Sequence, residues 1–186
     1  MAIMKRINIH IGEYYSSSEP AVITTILGPC VAVCLYEQTS RIGGMNHILL
    51  PGGKTDGSDS GDARYAINAM ELLINQMMKS GADRYRLKAK VFGGAQIYPF
   101  LKQEMAMGLK NIEMVIDFLI TERIPIINYN FGGSNPRKIY FYTGTGDVLM
   151  QKIKTSEVME EFENLKLKRI EIEKRIRKTG NCLFFD

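Results

Sequence analysis

Short runs rich in β-branched residues recur along this chain, and glycine or proline ends most of them. This pattern constrains the fold more than any other feature, because such runs are typical of strands separated by turns. The sequence Gly144-Thr145-Gly146-Asp147, between the last two runs, predicts a hairpin. We predict strands over residues 7–11, 21–27, 31–36, 45–50, 87–92, 126–131, 139–142 and 148–153.

Two other segments carry apolar residues at three- and four-residue spacing, which is typical of helices. The first has its apolar stripe within residues 66–77, with capping residues at 59–62 before it and Gly81 after it. The second covers residues 111–121, and Pro125 prevents its extension. Strands mixed with helices predict the α/β fold class.

A charged segment follows the last predicted strand. Ser156 is a helix-capping residue, acidic residues lie in the early turns and basic residues in the last, so residues 156–178 match a helix and its dipole. Its narrow apolar stripe fits a surface helix packed along the domain or a helix that docks on a partner. With 186 residues in total, we predict one compact domain over 1–155 and a helical extension over 156–186.

Composition narrows the classes of function. The net charge of +4 is too small to demand a nucleic-acid partner. No run approaches the roughly 18 apolar residues that insertion into a membrane needs. The glycine pair at 93–94 lacks the companion residues of a nucleotide-binding loop. Three cysteines without a CxxC pair fit a reducing compartment, and no signal peptide is evident, so we expect a cytoplasmic protein.

Cys30 is the strongest candidate for chemistry. It follows a predicted strand and the turn Gly28-Pro29, where backbone is rigid and amide groups are freed from strand pairing. A free cysteine can equally be a small buried hydrophobic residue. Cys34 follows an apolar triplet and is expected in the core, and Cys182 lies near the C-terminus. Two cysteines at this spacing, without a second pair, predict no metal site.

His47 lies on a predicted strand that could pair beside Cys30. A histidine within reach would accept the thiol proton, because a thiol of pKa ~8.5 is mostly protonated at neutral pH. Otherwise His47 is a hydrogen-bonded core residue. A third group would orient the imidazole, and Thr24, Thr25, Asn46 and the acidic residues are open candidates. Thr24 and Thr25 point to opposite faces of one strand, so only one can face the site.

Two segments resemble the opening of the CheD family, the chemoreceptor glutamine deamidases of bacterial chemotaxis. They read TTILGPCVAVCL over residues 24–35 and GGMNHILLP over residues 43–51. The resemblance extends over about residues 8–153. Further matches follow in the family's order at residues 63–65, 69–71, 90–95, 108, 111, 132–133, 137–138 and 143–146.

The resemblance implies an α/β sandwich of mixed sheets and packed helices, like that of deamidating toxin domains. It implies a hydrolase with no metal or organic cofactor, in which Cys30 is the nucleophile, His47 the base and acid, and Thr24 the residue that orients the histidine. The implied reaction converts Gln to Glu plus ammonia through a thioester. The implied substrates are the cytoplasmic helices of methyl-accepting chemoreceptors.

Two positions depart from the family pattern. Pro29 stands where we expect Ser, and Pro136 where we expect Gly ahead of Arg137-Lys138. Because Pro29 has no backbone N–H, it cannot contribute to an oxyanion hole. The rival hypothesis is a non-catalytic adaptor that binds receptors or a CheC-type phosphatase. An adaptor would need neither His47 nor Thr24.

Overall fold

The structure is a computed structural model that describes residues 4–49, 66–97 and 102–156. The elements are β1 (Lys5–Asn8), β2 (Tyr14–Ser17), β3 (Ala21–Leu27), β4 (Val31–Glu37), β5 (Ile42–Asn46), α1 (Ala66–Lys79), β6 (Lys88–Gly93), α2 (Lys102–Thr121), β7 (Ile126–Phe131), β8 (Arg137–Tyr142) and β9 (Val148–Lys152).

The strands form two sheets. The four-stranded sheet has the order β1-β3-β8-β9, and the five-stranded sheet has the order β2-β5-β4-β6-β7. Each sheet contains one parallel pair, β1 with β3 and β6 with β7, and its other pairs are antiparallel. The predicted α/β class, with mixed sheets and packed helices, is confirmed.

Two hydrophobic cores define the layers. One core joins the inner faces of the two sheets, with Ile23 and Phe141 from the four-stranded sheet and Ala32 and Phe92 from the five-stranded sheet. The other core joins the opposite face of the five-stranded sheet to α1 and α2. The strands β4 and β5 of the five-stranded sheet are therefore buried on both faces, which explains why β4 reads as a nearly continuous apolar run.

The fifth strand differs from its prediction. β5 is Ile42–Asn46, so Gly43 and Gly44 lie within it rather than in a turn before a strand over 45–50. A Cβ on Gly44 would lie 2.7 Å from Leu73 Cδ1, and one on Gly43 would lie 2.7 Å from the backbone of Thr143. The glycines let neighbouring layers approach closely on both sides, a requirement that periodicity does not reveal.

Other strand and helix boundaries also differ from the predicted ones. β1 ends at Asn8 rather than residue 11, and β2 was not predicted because Tyr14–Ser17 contains no β-branched residue. α2 begins at Lys102, well before the predicted start at 111. The predicted cap of α1 at 59–62 and nearly all of the predicted helix over 156–178 lie outside the described residues.

By its internal contacts the chain divides into two units, Met1–Ile153 and Lys154–Asp186. All elements described above belong to the first unit. No helix within the described ranges is long and apolar enough to cross a membrane.

Candidate active site

Cys30 lies in the turn between β3 and β4. The next residue, Val31, forms a two-bond bridge with Ile48, in which the N–O distances are 3.0 and 2.7 Å. Val31 and Ile48 both belong to the core beneath the helices. Because side chains alternate along a strand, Cys30 faces the other way, into the core between the sheets, where it is 2% exposed.

His47 shares that face of the sheet. It precedes Ile48, so the same alternation turns its ring toward the inter-sheet core, and it is 4% exposed. Across the bridge Cys30 stands opposite Leu49, which makes His47 its diagonal neighbour. Diagonal Cβ atoms in an antiparallel pair are about 7 Å apart, within reach of long side chains. The structure therefore brings the two predicted residues to one place.

A hydrogen-bond chain fixes the imidazole of His47. The Nδ1 atom lies 2.8 Å from Thr25 Oγ1, and Thr25 Oγ1 lies 2.7 Å from the carbonyl oxygen of Ile9. The Thr25 hydroxyl has a single proton, which it donates to Ile9, so it accepts a proton from Nδ1. We therefore assign the proton to Nδ1, which leaves a lone pair on Nε2.

The Nε2 atom of His47 is buried and has no hydrogen-bond partner among the described residues. A buried unpaired acceptor is costly, and a catalytic role is one physical reason for retaining it. Here the unpaired acceptor belongs to the ring that shares its sheet face with Cys30. The arrangement suits proton transfer from the thiol to Nε2.

Burial keeps both groups neutral. Desolvation lowers the pKa of His47 to about 3, the nearby charge of His10 adds to this effect, and the Ile9 carbonyl opposes it. Desolvation raises the pKa of Cys30 to about 12, and a contact with its own backbone N–H partly offsets the rise. The resting site thus holds a thiol and a neutral imidazole rather than an ion pair.

Thr24 does not contact His47. Its hydroxyl donates to Asn8 Oδ1 at 3.0 Å, on the outer face of the four-stranded sheet. Ile23 and Leu27 lie in the inter-sheet core, so Thr25 between them must face inward and Thr24 outward. The expectation that Thr24 touches the imidazole is therefore corrected: Thr25 makes that contact.

The other candidates for the third group also lie elsewhere. Asn46 is fully buried on the helix side, where Oδ1 accepts from the Val33 amide at 2.9 Å and Nδ2 lies 3.4 Å from the Met70 sulfur. Glu13 accepts from the amide of His10 at 2.8 Å. No described acidic side chain bonds to the His47 ring.

The backbone of His47 is held by the turn after β1. The Gly12 amide donates to the His47 carbonyl at 2.9 Å, and the His47 amide donates to the Glu13 carbonyl at 3.0 Å. The same turn presents the Ile9 carbonyl to Thr25. Sequence reasoning missed this segment, because main-chain contacts leave no side-chain signal.

Gly93 and Gly94 support the Cys30 turn instead of a phosphate. A Cβ on Gly93 would lie 2.1 Å from the Cys30 carbonyl oxygen, and Gly93 has φ of +118°. The Gly94 amide donates to that oxygen at 2.8 Å, and the Ala95 amide donates to the Gly28 carbonyl at 2.8 Å. Only glycine permits this close approach at position 93.

Asn111 ties α2 to the segment after β5 that carries His47. It is fully buried, and its Nδ2 donates to the Leu49 carbonyl at 2.8 Å. Sequence reasoning gave this residue no role. Within the described ranges no group of three or more potential ligands could hold a metal ion. Cys34 is buried in the inter-sheet core, and Cys182 lies outside the described residues.

A family model, several relatives and one solved structure are similar to this chain. A family model described as "CheD chemotactic sensory transduction" matches residues 49–152. A protein of Shewanella oneidensis called "Probable chemoreceptor glutamine deamidase CheD 1" is 44% identical over 162 residues, which cover 84% of this chain and 78% of that protein. A crystal structure titled Bacillus licheniformis hypothetical protein YfiH overlaps 65% of this chain and 49% of that chain at 15% identity and a TM-score of 0.40, too low to bear on the fold.

Two further relatives agree. "Probable chemoreceptor glutamine deamidase CheD" of Thiobacillus denitrificans is 45% identical, over 77% of this chain and 71% of its own length. "Probable chemoreceptor glutamine deamidase CheD 1" of Dechloromonas aromatica is 45% identical, over 76% of this chain and 70% of its own length. With a family model that covers more than half of its length and relatives of this similarity, the chain belongs to the CheD family.

Proposed function

We propose that this chain is a glutamine deamidase that hydrolyses Gln side chains of chemoreceptors to Glu plus ammonia. The observation that carries the proposal is the His47 ring. Its Nδ1 is held by Thr25 and its unpaired Nε2 lies on the sheet face of Cys30, in a chain of the CheD family. An adaptor would have no need of an oriented imidazole beside a thiol.

The first half of the reaction forms a thioester. Nε2 of His47 takes the Cys30 proton as the sulfur attacks the side-chain carbonyl carbon of the substrate Gln. The imidazolium then returns that proton to the amide nitrogen, the C–N bond breaks, and ammonia leaves. Thr25 keeps Nδ1 as the donor throughout, so Nε2 is always the atom that exchanges the proton.

The second half hydrolyses the thioester. His47 Nε2 takes a proton from water as its oxygen attacks the thioester carbon, and the proton passes to the departing sulfur. The products are Glu and the restored Cys30 thiol. Neither half requires a metal or an organic cofactor.

The oxyanion needs backbone donors. We assign the amide of Cys30 as a donor, because it is next to the reacting sulfur and Pro29 has no N–H to offer. The bonds from Gly94 and Ala95 hold the carbonyls on either side of that amide. Rigid donors of this kind stabilise charge that develops in the transition state.

The names of the relatives support receptor Gln side chains as substrates. We place the reaction in the cytoplasm, where such receptor helices would be accessible. A CheC-type phosphatase as a partner stays a prediction from the resemblance.

The test is ammonia release and Gln-to-Glu conversion on a chemoreceptor cytoplasmic fragment. Cys30→Ala should abolish both signals, whereas Cys34→Ala, a change to the other buried cysteine of the same core, should retain them. Equal activity of wild type and a folded Cys30→Ala variant would refute the proposal.

A further inference from the structure

Arg137 is a buried cation that has no carboxylate partner among the described residues. It begins β8 directly opposite Leu27 and faces the inter-sheet core, where it is 3% exposed. No acidic side chain of the described ranges lies within ion-pair distance of its guanidinium. Burial lowers the pKa of Arg137, because removal from water disfavours the charged guanidinium.

The guanidinium bonds to one loop. Its Nη1 donates to the carbonyl oxygen of Asn130 and to Asn130 Oδ1, and its Nη2 donates to the carbonyls of Gly132 and Asn135. A planar fork of donors suits several acceptors in fixed directions, which a lysine could not match. We use the name β7–β8 loop for residues 130–135, which are the last two residues of β7 and the turn that follows them. Arg137 thus fixes this loop from its inner side.

The β7–β8 loop in turn holds the segment after β6. The Gly132 amide donates to the Gly93 carbonyl at 2.9 Å, and the Gly133 carbonyl accepts from the Gln96 amide at 2.8 Å. Gly132 and Gly133 have φ of +74° and +72°, so this loop shape requires conformations that other residues rarely adopt. Two hydrogen bonds therefore fasten the loop to residues 93–96.

Residues 93–96 also hold the turn that contains Cys30. Its Gly94 and Ala95 amides hold the carbonyls of Cys30 and Gly28. Arg137 is therefore linked to the Cys30 turn by a continuous set of hydrogen bonds through two loops. A buried charge is costly to retain if its only task is to shape a surface loop.

We propose that Arg137 is a positioning residue that fixes the Cys30 turn through the β7–β8 loop. This inference rests on the proposed function for its effect on turnover. Its effect on the thiol itself is independent of the reaction. Arg137 does not touch the substrate in this account, so its loss should lower kcat and leave KM nearly unchanged.

The experiment compares Arg137→Met and Arg137→Lys with Phe141→Leu, an inward-facing core change on the same strand. In both Arg137 variants kcat on the receptor fragment should fall about 10–100-fold, as expected for a small displacement of a reacting group. Phe141→Leu should retain kcat per folded molecule. Circular dichroism and thermal unfolding establish the folded fraction of each variant.

The second readout is alkylation of Cys30 by iodoacetamide across pH. A released turn exposes the sulfur, so the pKa of Cys30 should move down from about 12 toward its ordinary value, and alkylation at neutral pH should become faster. The variants would then have a more accessible thiol and slower turnover. Uniform destabilisation, as in Phe141→Leu, would not produce this pairing.

Gly132→Ala gives an independent approach, because it strains the loop at positive φ and a Cβ there meets nothing within 4 Å. It should reproduce both effects, and combined with Arg137→Lys it should add little further loss. If Arg137→Met does not fold, Arg137→Lys and Gly132→Ala decide the question. Unchanged kcat and unchanged Cys30 alkylation in folded variants would overturn the proposal. Altered alkylation in a protein that never deamidates would refute only the proposed function.

Discussion

Buried ionisable groups lie at both ends of β4, and they differ in how many hydrogen-bond partners they have. At the C-terminal end, Glu37 is 1% exposed and accepts hydrogen bonds from the amides of Thr39 and Ser40 and from Arg86. Just before the N-terminal end, Cys30 and the neighbouring His47 have no opposite charge beside them within the described ranges, and Nε2 has no hydrogen-bond partner there.

The pKa values reflect this difference. Burial alone would raise the pKa of Glu37, but the hydrogen bonds outweigh it and lower the value to about 2. Burial without such compensation makes Cys30 and His47 neutral instead. At the C-terminal end of β4, hydrogen bonds stabilise the Glu37 carboxylate and the turn that follows it. The other end leaves polar groups available for proton transfer, as expected of a reactive site.

The largest effect is expected at His47, where a substitution should remove activity but leave the protein folded. His47→Ala should lower kcat at least ~10²-fold, the loss typical of removing a positioned acid–base group. The variant should fold, because it no longer buries an unpaired nitrogen. Steady-state ammonia release with thermal unfolding checks both statements. Turnover within threefold of wild type would exclude His47 as the acid–base group.

Glu37 should behave in the opposite way. Glu37→Gln removes a charge that three described donors satisfy, so it should cost about 2–4 kcal/mol of unfolding free energy. Activity per folded molecule should stay near the wild-type value, because Glu37 lies at the far end of β4. Urea unfolding and ammonia release on the same samples make the comparison. Lost turnover in a stable Glu37→Gln protein would contradict the separation of the two ends.

Acid should weaken the fold in two windows. The unfolded chain binds a proton at His47 below pH 6.5 and the native protein only near pH 3, so stability falls by about 1.4 kcal/mol per pH unit as pH drops through that range. Glu37 contributes stability above pH 4.5 that is lost as pH falls toward 2. His47 and Glu37 therefore both make the fold more stable at neutral pH than in acid.

Two variants show which residue causes the loss of stability in each pH range. His47→Ala should flatten the dependence of unfolding free energy on pH between 6.5 and 4.5, and Glu37→Gln should reduce its slope between 4.5 and 2, where His47 still contributes down to about pH 3. Urea unfolding at half-unit pH intervals measures the slopes. If His47→Ala keeps the wild-type slope above pH 4.5, the imidazole is not buried as a neutral group.

Much of this architecture could be predicted from sequence. Alternation and turn residues located most strands, and the Gly28-Pro29 turn made Cys30 a candidate for chemistry, since both signals act locally. The choice between Thr24 and Thr25 could not be made in this way. Residues 22–26 read Val-Ile-Thr-Thr-Ile, with aliphatic side chains on both faces, so alternation gives the two faces without saying which is inside.

Long-range contacts also escaped prediction. Gly93 and Arg137 act on Cys30 through backbone atoms of segments far away in sequence, and no periodic pattern records such contacts. In the sequence, Asn111 had significance only as the start of a predicted helix and as part of a resemblance, although its side chain holds the segment that carries His47. These are the residues on which tertiary packing, rather than local propensity, sets the geometry.

The most direct test of the site compares Thr25→Val with Thr24→Val, two isosteric changes on adjacent residues of β3. Thr25→Val should lower kcat on a receptor fragment by about 10²-fold, because Nδ1 loses its acceptor and the ring loses its orientation. Thr24→Val, which loses only a bond to Asn8 on the outer face, should stay within about threefold of wild type. A crippled but folded Thr24→Val protein, beside a Thr25→Val protein of normal rate, would contradict the register of β3 and the assignment of the third residue.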